Sequence, residues 1–493
     1  MKKLPLILAV LLPAASAFAA PAITLYNQDF AVVRDTLPLD LKAGVNNVQY
    51  AGTTAKVEPS SVILRDPAGK VALQILEQNY RNDPVSEGLL LSLYEGQTIE
   101  FETVRKEEVT RFEGKIIRSG YNMTAPPFQD GYGRHIGAMV VQPIIEVGGK
   151  LQFGLPGKPI FPALKDQTIL KPTLDWKINA GESATLDAEI AYITGGMSWE
   201  AAYNVVAPEK GDEIDMVGWI TMKNESGTTF EDANIKLMAG DVSKLQPEQE
   251  GMRLRAGVAR LAMASDEAAV TEKAFDEFHL YTLAHPTTLH DKETKQVEFV
   301  RAAKVKAATV YVYDGLQLDA QPWARQSMEN LRNNQNLGTE SNSKVAVMRE
   351  FRNSKENHLG LPLPKGVVRF YRQDDDGRLE FTGENVIDHT PKDETLRIYT
   401  GNAFDLVGER IRTDFKLDTS RRTIDESVEI KLRNRKEEPV EIRVVEHLYR
   451  WYTWEITEHS LPFEKKAAQV MEFRVPLKAG EEKSITYTVR YSW

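Results

Sequence analysis

Two histidines five positions apart, His285 and His290, followed by Asp291 and Glu293, are the nearest approach to a metal-ligand set in this 493-residue chain. A zinc pair on a helix presents its ligands one turn apart, but Pro286-Thr287-Thr288 between these histidines reads as a loop entering a strand. His279, His358, His389, His447 and His459 are scattered singly. A calcium loop is the second possibility, at Asp374-Asp375-Asp376-Gly377. Counted from Asp374, the twelfth position is Asn385 where an EF-hand needs a bidentate acid, so an Asp-Gly hairpin turn is the better reading. Nucleophilic catalysis has no Gly-x-Ser-x-Gly elbow to use, and Ser198, between Met197 and Trp199, reads as strand-entry packing. The chain holds 71 Asp and Glu residues, and no pair among them stands out as a glycosidase couple. With no cysteine, disulfides, thiolate metal sites and cysteine nucleophiles are excluded, as is a lipid anchor on a cleavage-site cysteine. The expected sets of catalytic, cofactor-binding and metal-binding residues are therefore empty, and no cofactor is expected.

Binding has a better candidate. In the stretch 119–137, Tyr121, Phe128 and Tyr132 are spread among Pro126, Pro127 and several glycines. Aromatics on a loop serve as contact anchors for a protein or a glycan, or fold back as a lid over a sheet edge.

The elements that would position such residues are strands. Val428, Ile430 and Leu432 alternate with charged residues, 434–439 turns, and Val440, Ile442 and Val444 alternate back, which predicts a hairpin. Met471, Phe473, Val475 and Leu477, followed by Ala479-Gly480 and then Ile485, Tyr487, Val489, Tyr491 and Trp493, predict a second. The same Ala-Gly step between alternating segments recurs at Ala43-Gly44 and Ala180-Gly181, where glycine suits a turn that needs positive φ. Two stretches break the rhythm, 241–276 and 321–343, and read as helical or loosely ordered insertions. The expected fold is mainly β, two or three β-sandwich (immunoglobulin-like) domains with those short insertions. Their expected limits are 20–174, 175–355 and 356–493.

Ahead of them, Lys2 and Lys3, the apolar run 4–12 and Ala17-Phe18-Ala19 have the layout of a signal peptide, cleaved after Ala19. That run is too short to span a bilayer, which needs about 20 helical residues. The address expected is periplasmic, without stable membrane insertion. The formal charge of −10, which loss of Lys2 and Lys3 makes more negative, argues against nucleic acid as a partner. The basic run Arg433-Asn434-Arg435-Lys436 meets Glu437 and Glu438 at once and reads as a solvated turn.

Ile193-Thr194-Gly195-Gly196-Met197-Ser198-Trp199-Glu200-Ala201-Ala202-Tyr203 resembles the hallmark of the bacterial family called domain of unknown function 4139. Gly195, Gly196, Trp199 and Tyr203 carry the likeness. It continues through Phe230-Glu231-Asp232-Ala233, Leu237-Met238-Ala239-Gly240, Thr294-Lys295-Gln296-Val297 and Leu359-Gly360-Leu361-Pro362-Leu363-Pro364-Lys365-Gly366, and covers roughly 191–493. The resemblance implies a β-rich, often exported protein and supplies no catalytic residues. Members often carry a coiled-coil hairpin in the N-terminal half, and no heptad run stands there in this chain.

These readings converge on a non-enzymatic envelope protein that binds or scaffolds an envelope protein or glycan through loops or sheet edges. A hydrolase of an envelope polymer, acting through an unidentified carboxylate pair, is the enzymatic alternative. An outer-membrane barrel is a third, disfavoured because Lys431, Arg433, Glu441 and Arg443 occupy the face that would meet lipid.

Overall fold

The computed structural model describes residues 20–83, 85–105, 108–121, 128–129, 135–136, 142–162, 169–208, 211–240, 242–244, 270–275, 277–316 and 327–493. The signal-peptide reading of 1–19 falls outside them. The chain divides into two compact units, one of Met1–Ser198, Lys223–Lys236 and His285–Thr294, the other of Trp199–Met222, Leu237–Ala284 and Lys295–Trp493.

The first unit opens with β1 (Ala22–Tyr26), β2 (Phe30–Leu41), β3 (Gly44–Ala51), β4 (Ile63–Arg65) and β5 (Leu73–Arg81). A short helix, α1 (Glu87–Leu93), is capped by the Ser86 hydroxyl, which accepts from the Leu89 amide. After it come β6 (Thr98–Arg105), β7 (Glu108–Arg118), β8 (Phe128–Gln129), β9 (His135–Ile136), β10 (Ile144–Val147), β11 (Lys150–Phe153), β12 (Lys158–Ile160), β13 (Thr173–Ala180) and β14 (Ala184–Gly195). One sheet runs β1-β2-β14-β4 and another β3-β13-β5, while β11-β10-β7-β6-β12 form a third. Alternation sets the faces. In β13, Leu174, Trp176, Ile178 and Ala180 are buried, with Asp175, Lys177 and Asn179 between them on the opposite side. Tyr50 of β3 reaches over to β2, its hydroxyl donating to Asp35 at 2.8 Å. The third sheet has its own small core of Leu91, Tyr94, Ile99, Phe101, Ile116 and Ile145.

Further along the chain lie β15 (Met197–Ala207), β16 (Glu213–Asn224), β17 (Phe230–Ala239), β18 (Val270–Phe275), β19 (Phe278–Leu283), β20 (Thr287–Leu289), β21 (Glu293–Lys306) and β22 (Ala308–Asp314). They are followed by α2 (Met328–Asn333), β23 (Lys344–Arg352), β24 (Gly366–Gln373), β25 (Leu379–Ile387), β26 (Thr395–Asp418), β27 (Thr423–Asn434), β28 (Val440–His447), β29 (Thr453–His459), β30 (Phe463–Ala467), β31 (Val470–Leu477) and β32 (Glu482–Ser492). In the second unit β21-β16-β15-β24-β25 form one sheet, with β15 and β24 parallel. The other is nine-stranded, β29-β32-β27-β26-β23-β22-β28-β31-β30, an open path and not a closed ring. It folds on itself through β26, whose first half pairs with β23 and second half with β27. Inward side chains of β27, β28, β31 and β32 meet in a single core, so the two arms of the sheet are the layers of a sandwich.

The expected hairpins are not hairpins. β27 pairs with β26 and β32, whereas β28 pairs with β22 and β31. The segment 434–439 therefore crosses from one layer to the other, and so does Ala479-Gly480 between β31 and β32. The Ala-Gly steps of the first unit behave alike, since β2 pairs with β14 while β3 pairs with β13. Alternation tells which face is buried and is silent on which strand lies alongside. Gly44 and Gly480 do take positive φ, at 98° and 67°. The turn at Asp374 is a hairpin, with the Gly377 amide donating to the Asp374 carbonyl at 3.0 Å between β24 and β25. Within the stretch 241–276, β18 forms a hairpin with β19, where a helical or loose insertion was expected. The β-branched Val270 and Thr271 outweigh the helix-forming composition before them.

Asn434 holds the two C-terminal crossings together. Fully buried, it donates through Nδ2 to the carbonyls of Glu438 and Lys478, both at 2.9 Å, and accepts from the Lys436 amide at 3.0 Å. Asn434→Ala strands these backbone groups and is expected to cost about 1–3 kcal/mol. Urea melts check this, and an unchanged midpoint would mean that water replaces the side chain.

Candidate functional site

The loop aromatics do not form one described surface. Tyr121 is half-buried, and its hydroxyl donates to Asp83 at 2.5 Å. Phe128 lies in the two-residue strand β8 opposite Ile136, and Tyr132 is outside the described residues. The amide of His290 donates to the Glu293 carboxylate at 2.7 Å, and Asp291 accepts from the Gly227 amide at 2.8 Å, so both acids are engaged by backbone. Among the described residues no three His, Cys, Asp or Glu side chains gather as a metal would need.

The hallmark residues organise packing. Gly196, at φ 75°, sits where a Cβ would come within 2.7 Å of the Glu225 carbonyl, so only glycine fits. Trp199 is 4% exposed and donates from Nε1 to the Met238 carbonyl at 3.2 Å. The buried Tyr203 hydroxyl donates to the Pro364 carbonyl at 2.6 Å, and Tyr281 likewise to Pro362 at 2.9 Å. Two motifs some 160 residues apart in sequence are thus hydrogen-bonded to each other. Tyr281 and Phe299 complete an aromatic cluster with Trp199 and Tyr203, at ring separations of 5.7–6.4 Å.

The densest chemistry lies in the C-terminal sandwich. The inward register of β27 reads Ile424, Glu426, Val428, Ile430, and that of β28 reads Val440, Ile442, Val444, Glu446, so each strand carries one carboxylate in its apolar row. Glu446 is fully buried, and both its oxygens accept from Arg410 Nε, at 3.0 and 2.9 Å. The Tyr487 hydroxyl also donates to it. Glu426, 2% exposed, accepts from Arg450 Nε at 2.8 Å and from an Arg412 terminal nitrogen at 3.1 Å. The Phe415 and Tyr449 rings flank the Arg450 guanidinium at 4.8 and 5.4 Å.

Three arginines face two carboxylates, and backbone carbonyls take the surplus donors. Arg450 donates to Leu331 at 2.7 Å and Leu337 at 3.2 Å, Arg410 to Gly338 at 3.1 Å, and Arg412 to Gln335. The Tyr449 hydroxyl donates to Leu337 at 2.8 Å. The segment 331–338, which runs from the end of the α2 helix capped by Ser327 into the loop beyond it, is thereby strapped onto the sandwich. It lies in the stretch expected to be helical or loose. Burial, then the Glu426 charge, push the Tyr449 hydroxyl up to about 12. Burial also raises Tyr487 well above its ordinary value, with Glu446 adding to it, so both phenols remain donors. Burial disfavours the Arg410 cation, but the Glu446 charge and the Tyr487 and Tyr449 hydroxyls together outweigh it and hold Arg410 firmly protonated.

At the edge of this network His447 Nε2 and Asp314 Oδ2 are 2.9 Å apart. That hydrogen bond raises the His447 pKa above its ordinary 6.5, against the opposing effect of burial, with the Asp314 and Glu446 charges helping and Arg410 opposing. A raised folded-state pKa stabilises fully below the unfolded value and is lost as pH rises through the folded value. The sandwich is therefore expected to lose a fraction of a kcal/mol above about pH 6.5, because solvent screens this part-exposed pair. Melts across that range check it, and Asp314→Asn should flatten the slope.

Two open depressions stand out among the described residues of the first unit. The larger, of about 380 Å³, is lined by Asn47, Gln49, Glu77, Asn79, Asp175 and Lys177. Four of these side chains are matched to each other, Lys177 to Glu77 at 2.7 Å and Gln49 to Asp175 at 2.8 Å. No helix of the described residues is long and apolar enough to cross a membrane.

No curated protein matches this sequence. The family model for the domain of unknown function DUF4139 matches residues 188–493, more than half of the chain, and takes in both the Trp199–Tyr203 and the Leu359–Gly366 motifs. With those motifs bonded to each other in one β-rich unit, the chain belongs to the DUF4139 family.

Proposed function

We propose that this chain is an exported, non-enzymatic envelope protein that binds or scaffolds another envelope component through loops fixed on its sandwiches. The observation that carries the reading is the strap at 331–338. The buried Arg410 and Arg450 and the part-buried Arg412 spend donors on its carbonyls, so its conformational entropy is lost on folding and not on binding. A fixed loop on a rigid scaffold is how sandwich domains present recognition surfaces. The paired carboxylates Glu426 and Glu446 are committed to arginines, which leaves neither as a ready acid–base couple.

Photo-crosslinking amino acids at Glu340 on the strap side and at Lys177 on an exposed sheet face provide the test in intact cells. A discrete envelope partner joined through position 340 and not through 177 is expected. Equal crosslinking at both positions would sink the loop reading. Export belongs to the same proposal, and intact mass spectrometry should show cleavage after Ala19; retention of 1–19 in the periplasmic form would remove the address.

A further inference from the structure

At one end of the C-terminal sandwich, aromatic rings and arginines gather outside the buried network. The pairing Thr423–Ser492–Thr453 aligns β27, β32 and β29, and the next positions in that row are Arg422, Trp493 and Tyr452. The Trp493 amide donates to the Arg422 carbonyl at 3.1 Å, which keeps the row together. Tyr452 is 76% exposed, and its ring centre is 6.0 Å from that of Trp451, which is 6.4 Å from that of Trp493. From α2, Arg332 lays its guanidinium over both indoles, at 5.1 and 5.3 Å.

Ion pairing at this corner is incomplete. Many surface arginines have a carboxylate at hand, as Arg65 has Glu189, Arg111 has Glu102, Arg397 has Glu350 and Arg490 has Asp425. Among the described residues neither Arg332 nor Arg422 has one, and Arg332 Nε finds no acceptor. An exposed tyrosine, two part-buried tryptophans and two arginines without counter-ions have the composition of a protein-binding hot spot. A sugar platform built on the indoles is closed off, because Arg332 already covers them and leaves Tyr452 as the open ring.

We infer that the corner formed by Tyr452, Trp451, Trp493, Arg332 and Arg422 docks a protein segment in which an apolar side chain is flanked by carboxylates. The inference rests on the binding reading above and names the chemistry of its partner. The apolar side chain would pack on Tyr452 and the edges of the indoles, and the carboxylates would supply the missing acceptors.

Titration of the full chain with a synthetic peptide carrying one phenylalanine among glutamates, followed by tryptophan fluorescence and calorimetry, tests this. Binding that weakens at high salt is expected, with no binding of the same peptide carrying lysines. Tyr452→Ala and Arg422→Glu alter exposed positions, and melts should show them folded. Each is expected to weaken binding about tenfold or more. Unchanged affinity in either variant, or equal binding of the lysine peptide, overturns the proposal. An oligogalacturonate that binds where the acidic peptide does not would also overturn it, in favour of an acidic glycan. Full crosslinking of the envelope partner by Tyr452→Ala would defeat the corner while leaving the scaffold reading standing. Peptide binding without any envelope crosslink would do the reverse.

Discussion

Glu446→Ala is expected to destabilise the C-terminal sandwich by about 3–5 kcal/mol, because it leaves the Arg410 charge buried without its counter-ion. Arg410 is only 5% exposed, and its remaining contacts, the Gly338 carbonyl and the Tyr487 hydroxyl, are neutral. The phenol loses its acceptor in the same step, since Tyr487 also donates to Glu446. Urea melts of the full chain would register a lower midpoint for the transition that exposes Trp451, Trp454 and Trp493. Arg410→Met combined with Glu446→Leu should recover most of the loss, since a buried ion pair is often no better than well-packed apolar groups. Such a double variant would still lack one anchor of the strap. Faster amide exchange across 331–338 at near-normal stability is therefore expected, and would separate the pair's part in holding the loop from its part in holding the core. An unaltered midpoint in Glu446→Ala would mean that water reaches Arg410, and the strap would then not be sealed by a dry network.

Sequence reading passed over these charges, although their register carries a signal that could have found them. Glu426 and Glu446 each occupy a position that alternation assigns to the buried face, between or after Val, Ile and Leu. A carboxylate in that register has to be paired, and Arg410 and Arg412 stand two apart on β26, the strand that borders β27. Which arginine meets which glutamate depends on contacts of long sequence separation, Arg410 with Glu446 across 36 positions and Arg450 with Leu331 across 119. Local pattern does not encode them. The same limit explains the strands. Val440, Ile442 and Val444 are buried as alternation requires, yet β28 pairs with β22 and β31 and not with the strand before it. A short polar connection serves a hairpin and a layer crossing equally well, and the difference here lies in Asn434, which bonds the carbonyls of both crossings. The Asp374 turn was readable because positive φ at Gly377 is a local demand.

Trp199→Ala is expected to cost about 3–5 kcal/mol through the cavity it leaves. The ring is 4% exposed on β15, its nitrogen satisfies the Met238 carbonyl, and its face is tilted toward Tyr281 at 6.3 Å. Tyr281 in turn packs on Phe299 and donates to Pro362, while Tyr203, four residues on from Trp199, packs on Phe299 and donates to Pro364. Losing the indole therefore removes support from the contact between the two family motifs as well as from its own site. Trp199→Phe keeps most of the volume and gives up the hydrogen bond, and about 1–2 kcal/mol is expected from the Met238 carbonyl left without its donor. Urea midpoints of the two variants should fall in that order. A smaller loss for alanine than for phenylalanine would show that the site collapses around the smaller side chain, and an unchanged midpoint for both would make the ring peripheral to the fold. If instead both variants melt normally and fail to crosslink the envelope partner, Trp199 belongs to a binding surface, and the Gly195-Gly196 turn before it would have to be read as placing a contact residue and not a core one.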